Sequence, residues 1–257
     1  MDAEVVTLCV AQAIMGICSD RACLAVAAKR LVCLFPDLPS QSAHFKRRRR
    51  LSATIEWLLR VFAADSPGAG DELLLLDSTP IECGRSRETV VRSALADVAD
   101  YGWCAPPSRH FWGLRLHLAA APDGTPRALQ LASPKLDERT VGLRLVQRCA
   151  SGGETLICDK GYAGRTFAAA GAKLGVTVAR PRRADEPGRG PHLAPIRQRI
   201  ESIFWSLKGT LALERHGART MTGPRERVLQ RFLCLAACIW LNHPLGRPSR
   251  ALVSYCA

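Results

Sequence analysis

Leu73-Leu74-Leu75-Leu76-Asp77 is the stretch on which the fold turns. Four consecutive leucines are what a short strand covered on both faces requires, and the acid that follows marks its end. A second segment repeats the pattern: Glu154 to Cys158 is a short apolar strand closed by Asp159, then Lys160-Gly161-Tyr162. Each Asp would emerge at the edge of a sheet, where open α/β sheets place their ligands, and adjacent strands would bring the two together. An Asp closing a strand is also a common turn former or helix cap. The sequence Asp-x-Gly-Tyr before a helix is less ordinary, because Gly161 permits a close turn that aims the carboxylate.

Between these strands, Phe111 to Ala119 alternates large apolar with polar residues. Asp123-Gly124 is a hairpin turn signal, and Arg127 to Ala132 is the returning strand. Asp137 to Cys149 has helical spacing, Phe167 to Leu174 and Val176 to Ala179 read as helix then strand, and Arg180 to Gly190 reads as a basic loop. Helices follow at Ile196 to Leu207 and Arg225 to Leu241. The alternation predicts a mixed α/β sheet flanked by helices.

Upstream, residues 3–64 carry apolar positions at helical spacing with breaks near Ser19-Asp20 and at Pro36 and Pro39, which predicts three helices. The run Lys46 to Arg50 is either a solvated face or one turned to DNA. Residues 65–70 read as a linker, so the chain divides into a helical segment, 1–64, that is a candidate DNA-binding element, and an α/β domain, 71–257.

Within the helix at 196–207, Arg197 and Glu201, with Lys208 just beyond, stand four and seven residues apart and share one helical face. An exposed helix with intrahelical ion pairs satisfies that pattern, and so does a carboxylate flanked by two phosphate-gripping bases. Three convergent carboxylates at Asp77, Asp159 and Glu201 would repel one another unless a cation neutralised them, and hard oxygen ligands select magnesium or manganese.

Composition agrees. The 257 residues carry 36 Lys plus Arg against 23 Asp plus Glu, a net charge of +13 that favours a polyanionic partner through counterion release. Arg115 and His117 share a strand face, and with Lys160, Arg180, Arg182 and Arg183 they are candidate DNA contacts. His110 and His117, and Trp103, Trp112 and Trp205, are equally ordinary packing residues. The eleven cysteines include no CxxC pair, which argues against a structural zinc site; several lie in apolar runs and read as core filler. The apolar stretch Phe232 to Leu241 is half of the ~20 residues a membrane span needs, and Met1 to Glu4 resembles no signal peptide, so a cytoplasmic protein without membrane contact is expected.

Asp77 after its leucine strand, Asp159-Lys160-Gly161-Tyr162, and Arg197-x3-Glu201-x6-Lys208 together resemble the DDE transposases of bacterial insertion sequences. Trp112 to His117 and Ile239 to Asn242 extend the resemblance over most of the chain. It implies a ribonuclease H-like core in which Asp77, Asp159 and Glu201 bind two Mg2+ or Mn2+ ions, with Asp77 bridging. It also implies cleavage and strand transfer on double-stranded DNA by a homo-oligomer. The family often places a Tyr where this chain has Ala194, and it commonly carries further helical sequence ahead of this chain's start, which leaves a shortened product as one expectation. A metal-dependent nuclease without strand transfer, and a DNA-binding relative without catalysis, use the same residues; a thiol or zinc enzyme would instead depend on the cysteines.

Overall fold

The computed structural model describes residues 2–104, 108–183, 186, 190–217, 220 and 222–255. The helices are α1 (Asp2–Ile14), α2 (Asp20–Arg30), α3 (Gln41–Arg50), α4 (Ser52–Ala64), α5 (Arg87–Arg92), α6 (Glu138–Cys149), α7 (Arg165–Lys173), α8 (Ala194–Lys208) and α9 (Thr222–Asn242). The strands are β1 (Leu73–Gly84), β2 (Asp100–Cys104), β3 (Arg109–Ala120), β4 (Pro126–Ala132), β5 (Thr155–Cys158) and β6 (Thr177–Ala179). The chain forms two compact units, Met1–Ala64 with Trp205–Ala257, and Asp65–Phe204. One division between the units falls between Ala64 and Asp65, and α9 packs with the N-terminal helices.

The helical unit has four N-terminal helices where three were read, because the chain breaks again at Leu51, the C-cap of α3. Most residues of α9 are buried, and α9 contacts α1 and α4. A polar knot lies inside this packing. Asp20 accepts from Arg48 and from Arg227, each at 2.7 Å, and Arg227 also donates to Gln12 at 3.0 Å. Burial alone would raise the Asp20 carboxyl, but the hydrogen bond and charge of Arg48, with the charge of Arg227, outweigh it and hold it well below the usual carboxylate range. Arg48 is thus a buried structural cation, although the run Lys46 to Arg50 reads as one exposed face; Lys46, Arg49 and Arg50 are exposed.

The second unit is built on one six-stranded sheet, β2-β3-β1-β5-β6, with β4 also paired to β3. β1 takes one edge of β3; β4 and β2 share the other, β4 against Arg115 to Ala120 and β2 against Arg109 to Gly113. On one side of β1 the pairing is antiparallel, on the other β5 and β6 run parallel to it. This mixed sheet, flanked by helices and preceded by a helical segment, is consistent with a ribonuclease H-like fold. The predicted hairpin is present: Gly124 adopts φ 104°, and Asp123 accepts from the Thr125 amide at 2.8 Å.

β1 departs from its reading. It does not stop at Asp77 but continues to Gly84, because residues 75–84 pair with β3. Only the parallel partner stops there, the last pair being Leu76 with Cys158. Pro80, which cannot donate to a ladder, falls in this half-paired stretch. The close approach of β1 and β3 needs Gly113, where an added Cβ would lie 2.1 Å from the Ile81 carbonyl oxygen. The strand β2 and the short helix α5 are not evident from the sequence pattern.

Candidate active site

Strand alternation places the acids. Leu74, Leu76, Leu156 and Cys158 lie in one cluster with Leu145, Val146 and Phe167, so this face of the sheet is covered by α6 and α7. Asp77 follows Leu76, and Asp159 follows Cys158, so both turn toward the other face from adjacent register positions. The Asp77 carboxylate accepts from the Ser78 amide at 2.8 Å, and Asp159 caps the turn Lys160–Tyr162 by accepting from the Lys160 amide at 2.6 Å. Tyr162 anchors this turn in the core, packed so tightly on α6 that an added Cβ at Gly142 would lie 2.9 Å from its ring.

Glu201 comes from α8 and reaches the pair through a cation. Arg197 Nη2 lies 3.4 Å from Asp159 and 3.9 Å from Glu201. Burial pushes the Asp77 carboxyl up to about 7; the Ser78 amide opposes this, the charge of Asp159 adds to it, Arg197 counters it and Glu138 reinforces it. Among the described residues no group of three or more His, Cys, Asp and Glu side chains is arranged to hold a metal ion, and Arg197 occupies the place between Asp159 and Glu201.

Glu138, in the first turn of α6, is a neighbour that the spacing of acids does not reveal. It accepts from Ser78 Oγ at 3.3 Å and pairs with Arg115. Arg115 also donates to Ser78 Oγ at 3.2 Å and to the Trp103 carbonyl at 2.9 Å. Its side chain is committed to the protein and mostly buried, which corrects its reading as a DNA contact. His117 is corrected likewise. It shares a face with Arg115 as predicted, but that face is the one toward α6, and His117 is fully buried with no partner on either nitrogen among the described residues. Burial, with the charge of Arg115, lowers its pKa to about 4, so it is a neutral core imidazole.

The remaining candidate bases are distributed differently. Lys160 and Arg183 are exposed beside Asp159, and Arg183 Nε donates to the Lys160 carbonyl at 3.3 Å. Arg180 forks onto Glu186 at 2.8 and 2.5 Å, and Arg182 is exposed. Lys208 pairs with Glu214 at 2.8 Å in the helical unit. His110 stacks edge-on against the exposed Trp103, ring centroids 4.8 Å apart. Among the described cysteines five are buried, Cys9, Cys23, Cys158, Cys234 and Cys238, and burial raises the thiols of Cys9 and Cys158 to about 12, as befits core filler. No helix among the described residues is long and apolar enough to cross a membrane.

No curated protein and no solved structure matches the chain. The family described as Transposase DDE domain matches residues 68–237, a span that contains Asp77, Asp159, Glu201 and the whole sheet. With two thirds of its length matched, the chain belongs to the DDE-domain transposase family.

Proposed function

We propose that the protein is an insertion-sequence transposase that cleaves DNA at the ends of its element and joins them to a target, with Asp77, Asp159 and Glu201 as its catalytic acids. The observation that carries this reading is the parallel register that seats Asp77 beside Asp159, with Arg197 linking Asp159 to Glu201. Metal is implied by the family. Asp77 and Asp159 offer the hard oxygens such ions take, and burial, with the charge of Asp159, raises the proton affinity of Asp77. Glu201 joins them once Arg197 releases it.

Two divalent ions bound there, Mg2+ or Mn2+, would activate the attacking oxygen and stabilise the leaving one in an in-line displacement. The chain's own residues do the rest. The Ser78 and Lys160 amides fix the two Asp carboxylates. Lys160, Arg183 and Arg197 supply phosphate contacts on either side of the acids. In the first step water attacks a phosphodiester, the P–O3′ bond breaks, and a 3′ hydroxyl and 5′ phosphate remain. In the second that hydroxyl attacks a target phosphodiester, forming one P–O bond as another breaks. A homo-oligomer on DNA would bring two element ends together, and the N-terminal helices are a candidate DNA-recognition element.

The test is cleavage of labelled DNA carrying the element's ends, in Mg2+ or Mn2+ against chelator, by the intact protein and Asp159→Ala. Cation-dependent nicking, lost in the variant, is the expected result. A second reading, a relative that binds DNA without cutting it, is favoured by Arg197, whose guanidinium lies between Asp159 and Glu201 where an ion would have to sit. Retained binding with no nicking in either cation selects it. Nicking without joined products selects a nuclease.

A further inference from the structure

We propose that a cavity beside α7, walled by arginines, is a phosphate-binding pocket for a nucleotide unit. The cavity measures about 630 Å³ and, among the described residues, is lined by Arg165, Arg180, Arg182 and Arg183 with one acid, Glu186. That acid is already held by the fork from Arg180, so the wall keeps a strong excess of positive charge. Guanidinium groups bind phosphate oxygens through paired donors, which makes an arginine wall specific for this anion chemistry.

The backbone adds to the field. The N-cap of α7 is Gly164, which has no side chain to satisfy the first-turn amides, and Gly164 and Arg165 both line the cavity. A helix start left uncapped and open to a cationic cavity presents N–H donors and the positive end of the dipole to an anion. The lining also includes the apolar residues Ala163, Ala168, Val178 and Pro191. A volume within the roughly 300–1,000 Å³ of small-molecule sites exceeds what bare phosphate needs. A lining that mixes guanidinium groups with apolar side chains suits a phosphate that carries a sugar and base.

The cavity also has a direction. Arg183 lines both this cavity and a shallow depression formed with Asp159, Lys160 and Gly161, and its Nε is tied to the Lys160 carbonyl at 3.3 Å. A strand passing Asp159 would therefore meet Arg183, the residue that the two hollows share. A strand nucleotide and a free nucleotide share this chemistry; the strand assignment rests on the transposase reading, the pocket itself does not.

The test is calorimetric titration of the full chain in chelator, so that cleavage plays no part, with inorganic phosphate, a deoxynucleoside monophosphate and a short single-stranded oligonucleotide. Arg165→Gln/Arg182→Gln replaces two exposed side chains, and its thermal midpoint checks folding. Oligonucleotide binding is expected to weaken at least tenfold in this double variant, with a salt slope shallower by about 0.7 for each phosphate that the arginines no longer neutralise. Oligonucleotide binding without monophosphate binding selects the strand, and tight monophosphate binding selects a free nucleotide. Equal affinity and slope in the folded double variant, or no binding of any probe, overturns the pocket. The two readings fail separately: loss of cleavage in Asp159→Ala tests the transposase reading alone, whereas the pocket is scored in chelator by the arginine double variant, where no cleavage occurs.

Discussion

Arg197 stands 3.4 Å from Asp159, and the same guanidinium group reaches Glu201 at 3.9 Å, so one cation joins two of the three candidate catalytic acids. A guanidinium in that place neutralises charge that a bound metal ion would otherwise neutralise. Arg197→Ala is expected to tighten Mn2+ binding several-fold, read by calorimetry on the protein without DNA. It is also expected to reduce the salt slope of duplex binding by about 0.9, the share of a single neutralised phosphate. An unchanged slope removes Arg197 from the DNA interface.

Asp77→Ala, Asp159→Ala and Glu201→Ala should each lower cleavage of end-bearing DNA by at least a hundredfold while duplex affinity stays within about threefold, as measured by gel assay and anisotropy, because a metal-site acid contributes little to phosphate grip. An acid whose loss leaves cleavage intact lies outside the site.

The raised pKa of Asp77 sets a pH dependence. Folding favours its protonated form, so the associated stability is complete below the unfolded value near 4 and is lost as pH rises toward about 7. In chelator, urea unfolding should show a loss on the order of 2 kcal/mol between pH 5 and pH 8, discounted for partial exposure. Asp77→Asn should flatten this profile. A wild-type profile already flat would mean that Asp77 is well solvated.

Asp20 predicts the opposite sign. Its depressed pKa gives stability that is present above about pH 4 and lost on acidification below it. Asp20→Ala strands Arg48 and Arg227 without their shared acid and should cost about 3–5 kcal/mol in urea unfolding at neutral pH. A cost under about 1 kcal/mol would show that water replaces the carboxylate easily.

Much of the sheet is legible in the sequence because its signals are local. The leucine strand, the Asp123-Gly124 turn and the helix spacing at 138–149 each depend on residues within a few positions of one another. The length of β1 is not local. Residues 78–84 mix polar side chains with Pro80 and hold strand geometry because β3 supplies their ladder. The same reason hides β2, whose short segment Asp100–Cys104 is extended by pairing to β3.

What the sequence by itself determined about this protein is its family, the two acids that follow the apolar strands, and the excess of arginine, since each is written in residue type and short spacing. Only the tertiary structure decided which basic residues face solvent. Arg115 and Arg48 are spent on Glu138 and Asp20, across 23 and 28 residues of chain, and His117 is closed within the sheet. A buried charge is stable only beside a partner, and the partner's identity is fixed by packing between elements distant in sequence. The meeting of Arg197 with Asp159 is of that kind: a strand end and a helix 38 positions apart, joined because the sheet and α8 set them side by side.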